Sequence, residues 1–355
     1  MGVTVGDVIA GFLLLAVAAY STAGGTDFGA GIWTLLAGFF PRAGEARRLV
    51  DHAMAPVWEA NNVWLVFAAV LTWTGFPILF QSAFASLYPL FAFALLGLVL
   101  RGAFFAFRKL AETPFQERTA TLVFGASSIL APFCFATSLG AIASGRVGVG
   151  QPVVPVWQAC LNPTSIMFGA VSLAATALSG ASFLVGDARR YIPSQGAGAG
   201  TAGQTANLGV SSSAMVEYFR RRAIVAALAT LVVGAAALAV LRTDSPTVFH
   251  GMTTGLGLAF ALIAVAATLA VAVLLWRRLY LWYRVLTVVG VGSFVFAWGF
   301  GQSPYLLPGR LTIQHAVGAP EVQVTLLVIS VVALVLVIPS LGLLYILDQR
   351  SDLES

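Results

Sequence analysis

Pro56-Val57-Trp58-Glu59-Ala60-Asn61-Asn62-Val63-Trp64 opens an apolar stretch that runs to about residue 75. A carboxylate and two carboxamides are thereby carried into or beside a helix that faces lipid. An ionisable group there costs about 2.5–3.5 kcal/mol on insertion scales, so it marks a polar path, a partner or an ion site. That reading requires a membrane protein, and the composition supplies one. Of 355 residues, 59% are hydrophobic and only 9% charged, with mean hydropathy +0.91. Soluble domains carry about 25% charged residues. No basic segment precedes the first apolar stretch and no cleavage site follows it, so it reads as a transmembrane helix rather than a signal peptide.

Working outward, a span needs about 20 mostly apolar residues to cross ~30 Å of hydrocarbon. Nine stretches qualify, at approximately 5–40, 55–75, 78–107, 119–144, 155–186, 219–241, 250–276, 280–302 and 323–347. The first is long enough to need a bend, tilt or interfacial tail, and Gly24, Gly25, Gly29 and Gly31 favour a bend or close helix packing there. Loops after odd-numbered spans and the C-terminus carry fifteen basic residues: Arg42, Arg47, Arg48, Arg108, Lys109, Arg118, Arg189, Arg190, Arg220, Arg221, Arg222, Arg277, Arg278, Arg284 and Arg350. Loops after even-numbered spans carry three, Arg146, Arg242 and Arg310. The positive-inside rule then predicts an external N-terminus and a cytoplasmic C-terminus. The pI near 9.6 follows from these loops and implies no nucleic-acid partner.

The expected architecture is all-α: one integral-membrane domain over 1–355, built as two helix bundles plus a peripheral span. Spans one to five occupy 5–186 and spans six to nine 219–347. Between them, 187–218 reads as a cytoplasmic Gly/Ala/Ser-rich linker, and 348–355 as a cytoplasmic tail. The external segment 303–322, with Pro304, Pro308, Arg310 and His315, is expected to be ordered.

Asp27, Glu59 and Arg101 are charged groups carried into the first three spans, all toward the cytoplasmic side. Asn62 lies three residues beyond Glu59 and shares its helix face, with Asn61 close by. Two readings stay open. Asp27 and Glu59 conduct protons inward with Arg101 tuning their pKa, or a Glu59–Arg101 or Asp27–Arg101 ion pair fixes helix packing. Asp7 reads as a solvated helix-start residue. The tryptophans, Trp33, Trp58, Trp64, Trp73, Trp157, Trp276, Trp282 and Trp298, mostly fall near span ends, as interfacial anchors do.

His52, His250 and His315 are not centred in any span, whereas a membrane haem needs axial ligands presented by helices. The chain alone is therefore expected to bind no haem and no metal, and to carry no catalytic residue. Nucleotide-binding, zinc and nucleophile-elbow patterns are absent from the sequence. Cys134 and Cys160 read as small core residues, with a disulfide open if their helix ends meet.

Several motifs carry a family resemblance. Gly25-Thr26-Asp27-Phe28-Gly29-Ala30-Gly31 resembles a Gly-Phe-Asp-hydrophobic-Gly-x-Gly element. The run His52–Leu65, containing Trp58-Glu59, Asn61 and Val63-Trp64-Leu65, is similar to a second-span signature. Phe76-Pro77 with Ala83–Tyr88, Leu100–Arg108, and Leu161-Asn162-Pro163 with Phe168-Gly169 follow in matching order. Together they resemble subunit II of cytochrome bd-type quinol oxidases, most closely over residues 20–110. The resemblance implies a haem-free subunit that stabilises a partner, subunit I, carrying haem b and haem d. The complex would oxidise quinol and reduce dioxygen to water in a bacterial or archaeal cell membrane, with a small accessory membrane subunit as a further partner.

The resemblance carries Glu59 over as proton-route acid and Asp27 as its companion, with Asn62 beside them. Arg101 tunes or pairs, and Trp58, Asn61, Trp64, Asn162 and Pro163 are structural motif residues. Gly24 replaces an acidic residue common in the family, Asn62 a Glu or Gln, and Gly102 a proline, so this chain lacks one carboxylate of the family's pattern. The competing reading is a proton- or cation-coupled secondary transporter using Asp27, Glu59 and Arg101. Such sites usually sit near the midplane between repeated halves, and neither feature is visible in this sequence.

Overall fold

The computed structural model describes residues 2–37, 49–50, 58–190 and 202–354, with side chains throughout these except at 58–60, 109, 202–212, 341 and 344–354. Its elements are α1 (Val5–Ala37), α2 (Trp58–Val70), a π-helical turn (Leu71–Gly75), α3 (Pro77–Lys109), α4 (Pro114–Ala143), α5 (Val156–Cys160), α6 (Pro163–Arg190) and α7 (Ala202–Asp244). There follow α8 (Pro246–Met252), α9 (Gly255–Trp276), α10 (Tyr283–Gln302), the antiparallel strands β1 (Tyr305–Leu307) and β2 (Leu311–Thr312), α11 (Ile313–Ala316) and α12 (Pro320–Glu354).

Eight helices among the described residues are long and apolar enough to cross a membrane. The ninth expected span is α2 with its π turn. Its residues, Trp58–Gly75, cover about 27 Å at 1.5 Å per residue. Helices α1, α2, α3, α4 and α6 pack together, and α7–α10 form a second group joined to the first through α6–α7 and α1–α10 contacts. Helix α12 touches α1 and the π turn, lines a cavity with α2, and exposes most of its described side chains, as expected of the peripheral span.

Local chemistry breaks two expected spans. The fifth, 155–186, divides at Leu161 (φ −112°, ψ 48°) into α5 and α6. Pro163 lacks an N–H and restricts the residue before it. Asn162 then caps α6, its Oδ1 accepting from Ser165 N at 2.9 Å. The seventh, 250–276, divides into α8 and α9 where Gly255 takes φ +52°. Helix also enters the expected linker 187–218 from both sides, through Arg190 and from Ala202. Only 191–201 fall between, outside the described residues.

Helix α1 is continuous, so its glycines serve packing rather than a bend. A Cβ on Gly29 would overlap the Thr176 carbonyl oxygen and the Gly180 backbone, and a Cβ on Gly180 would overlap Gly29. Backbone-to-backbone contact of this kind is what small residues permit between membrane helices. One turn on, Trp33 is buried and donates Nε1–H to Ala177 O at 2.8 Å. Trp33 is thus a link from α1 to α6, not the interfacial anchor its place near a span end suggests. Trp73, Trp157, Trp276 and Trp282 are exposed, as anchors are.

Polar contacts gather each end of the molecule. At the N-terminal end, Gln314 Nε2 donates to Thr4 Oγ1 (2.7 Å) and Asp7 Oδ1 (3.2 Å), and Arg310 Nε donates to Gly145 O (3.3 Å). Asp7 closes the first turn of α1 by accepting from Thr4 N at 2.9 Å. Arg146 donates to both oxygens of Asp244, at 2.9 and 2.6 Å, and the same carboxylate accepts from Thr164 Oγ1 at 2.6 Å. The ends of α4 and α7 and the start of α6 are clamped there. The Asp244 hydrogen bonds hold the Arg146 guanidinium above its ordinary value.

At the opposite end, Arg284 pairs with Asp187, and Arg220 joins Glu217 (2.7 Å) to Leu275 O (3.0 Å). Helix α9 finishes in a Schellman motif, with Leu279 N bonded to Leu274 O and Arg278 N to Leu275 O. Its left-handed position holds Arg278 (φ 58°) where glycine is usual, and Trp282 (φ 64°) is left-handed as well. Each costs about 1–2 kcal/mol relative to glycine. Cys134 and Cys160 are buried and unbonded to each other, which settles their reading as core residues.

Candidate functional site

The Gly29–Gly180 crossing lets α1 run through the middle of the first helix group, which puts Asp27 out of reach of water at 7% exposure. Buried carboxylates require hydrogen-bond partners. Asn61 of α2 donates Nδ2–H to Asp27 Oδ2 at 2.7 Å and, more weakly, to Ala23 O at 3.3 Å. From α3, Arg101 (6% exposed) donates Nη2–H to the backbone carbonyl of Asp27 at 3.0 Å, not to its carboxylate. Its Nε–H goes to Ser128 Oγ of α4 at 3.2 Å, and that hydroxyl donates to Phe124 O at 2.7 Å. The guanidinium lies against the rings of Phe28 (4.9 Å) and Phe124 (5.2 Å), which compensates part of its desolvation.

Four helices therefore meet at one polar knot: Asp27, Asn61, Arg101 and Ser128. The structure brings together Asp27 and Arg101, but through the peptide carbonyl. No ion pair joins the two side chains. Asn61, read from sequence as a structural motif residue, is the one on the Asp27 carboxylate. Asn62, one residue on and about 100° around the helix, is half-buried. Trp58 and Glu59 begin α2, and their side chains lie outside the described residues. Trp64 packs edge-on against Phe67.

Two neighbours were missed in the sequence. Ser128 belongs to an unremarkable small-residue run, and its role appears only when α4 packs on α3. Tyr20 stands seven residues before Asp27, two helical turns away, and its buried hydroxyl has no hydrogen-bond partner among the described residues. It borders an apolar cavity of about 190 Å³ that is also lined by Phe28, Phe135, Phe168 and Trp298.

Among the described residues, no group of three or more His, Cys, Asp or Glu could hold a metal ion. His250 is exposed on the seven-residue helix α8, and His315 is exposed and bonded through Nδ1 to Thr312 Oγ1 at 2.7 Å. Neither is presented inside a span, so neither fits as an axial haem ligand. His52 lies outside the described residues.

Comparison with known proteins gives a consistent picture. The family model for cytochrome bd terminal oxidase subunit II matches residues 5–347. Cytochrome bd-I ubiquinol oxidase subunit 2 of Escherichia coli (strain K12) is 25% identical over 171 residues, covering 46% of this chain and 44% of that protein. The aligned part thus spans less than half of that relative. Cytochrome bd ubiquinol oxidase subunit 2 of Bacillus subtilis (strain 168) is 34% identical over 84 residues, 24% of each chain. In fold, the chain is similar to one in the structure of bd oxidase from Geobacillus thermodenitrificans. The TM-score is 0.70 at 22% identity, covering 97% of this chain and 98% of that one.

Proposed function

Because the chain belongs to the cytochrome bd terminal oxidase subunit II family, we propose that it is the haem-free subunit of a quinol:dioxygen oxidoreductase, and that it delivers protons as well as stabilising its partner. Haem b and haem d belong, in this reading, to subunit I, where they supply the electron transfer from quinol to dioxygen. The membrane is a bacterial plasma membrane, with the N-terminus outside and the arginine-rich end in the cytoplasm. The transporter alternative gains no support from any of the comparisons.

The observation that carries proton delivery is the Asp27–Asn61 pair. A carboxylate locked to a guanidinium is a permanent anion, since breaking a buried ion pair by neutralising one partner is costly. Asp27 is held instead by a neutral amide, and an amide N–H can donate to a carboxyl oxygen whether or not the acid is protonated. Arg101 anchors the α1 backbone beside it and leaves the carboxylate free to gain and lose a proton. Glu59, two residues before Asn61 on α2, is the proposed donor to this position from the cytoplasmic side.

The test is quinol-driven oxygen uptake by the purified complex carrying Asp27→Asn or Glu59→Gln, with haem content from the reduced-minus-oxidised spectrum as the measure of assembly. The expected result is slowed turnover at unchanged haem content. Wild-type turnover in both variants would refute the proton route. A colourless protein that purifies without a haem partner would refute the oxidase assignment itself.

A further inference from the structure

The turn between α9 and α10 takes no part in the polar knot, yet it holds both non-glycine residues with positive φ among the described residues, Arg278 and Trp282. Backbone strain persists where interactions of the side chains repay it. Inside the protein these two side chains find little: Trp282 is 66% exposed, and the Arg278 side chain 69%. Arg278 reaches Glu217 only at 3.6 Å, and that carboxylate is already bonded by Arg220 and Arg221 at 2.7 Å each. Asp187, near the end of α6, pairs with Arg284. Arg277 is exposed as well.

The same few residues therefore carry surplus positive charge and large exposed apolar groups, with Trp276 and Leu281 at 70% and 68% exposure. Indole side chains settle at the headgroup level of a bilayer, and anionic lipid headgroups attract basic residues placed there. We propose that the α9–α10 turn is a docking site for an anionic phospholipid, its phosphate held by Arg277 and Arg278 and its glycerol–acyl junction set against Trp276 and Trp282. This rests on the membrane-spanning reading alone and is independent of oxidase activity.

The test is native mass spectrometry of the detergent-purified protein with its co-purifying subunits, after equilibration with equal amounts of phosphatidylglycerol and phosphatidylcholine. The wild type is expected to retain phosphatidylglycerol preferentially. Arg277→Ala/Arg278→Ala is expected to lose that adduct severalfold. Arg278→Gly separates binding from folding: glycine relieves the left-handed backbone, so thermal stability in detergent should hold or rise while the lipid adduct falls. Equal retention of both lipids by the wild type, or an undiminished adduct in Arg278→Gly, would overturn the proposal. So would displacement of the lipid by inorganic phosphate at matched concentration, which would make the turn a site for the free anion.

Discussion

Replacing Asp244 by Asn tests the clamp that ties α4, α6 and α7 at the N-terminal end of the molecule. The carboxylate accepts two hydrogen bonds from Arg146 and two from Thr164, and its side chain is 12% exposed. An asparagine keeps one acceptor for Thr164 but turns an N–H₂ group toward Arg146, where two donors face each other. Hydrogen bonds to charged groups contribute about 1.5–3 kcal/mol each. Arg146 is 31% exposed and recovers part of this from water, so the net loss should be about 2–3 kcal/mol rather than the full sum. At about 2–4 °C per kcal/mol, the unfolding midpoint should fall by about 4–12 °C. The chain's own chemistry offers the assay, because its two cysteines are free and buried and react with a thiol-sensitive fluorophore only on unfolding. A Cys134→Ser/Cys160→Ser control subtracts signal from co-purifying subunits, and one scan rate must serve all variants because such unfolding is kinetic. The double variant Arg146→Met/Asp244→Leu should recover part of the loss, since an apolar pair leaves no stranded charge. An Asp244→Asn midpoint equal to wild type would refute the reasoning.

Two further outcomes follow from the packing. Gly180→Val should disrupt the α1–α6 crossing, because its Cβ would overlap the Gly29 backbone, which has no side chain to move aside. Overpacking costs about 1–3 kcal/mol where side chains can yield, and the backbone contact puts this case at or above that range, read as lost expression or a lowered midpoint; normal expression and midpoint would show that the helices are not in contact there. Arg101→Lys keeps the charge but loses the Nε–Ser128 bond and the planar stacking between Phe28 and Phe124. It should destabilise by about 1–2 kcal/mol in the same thermal assay, and a midpoint equal to wild type would count against the anchoring role.

The site was only partly legible in the sequence. Asp27 and Arg101 stood out because ionisable groups are rare in apolar stretches, and that signal needs no knowledge of packing. The sequence could also set Glu59 and Asn62 on one face of α2, since that follows from helix period. It could not say which face meets α1. The register places Asn61 there, so the amide thought structural holds the carboxylate. The ion pair that charge alone suggested, Asp27–Arg101, did not form between side chains because the guanidinium is drawn to a peptide carbonyl and to Ser128.

Composition, span lengths and turn residues determined an all-α membrane chain and most of its helices, because solvation by lipid acts on each segment separately and can be summed along the sequence. The splits at Leu161 and Gly255 are local too, since Pro163 beside the first and the glycine at the second are both visible in the sequence. The crossing of Gly29 with Gly180, the burial of Trp33, the clamp at Asp244 and the partners of Asp27 were decided only by the tertiary structure. Each depends on the rotation of one helix against another, which is set by side-chain packing between segments far apart in the chain.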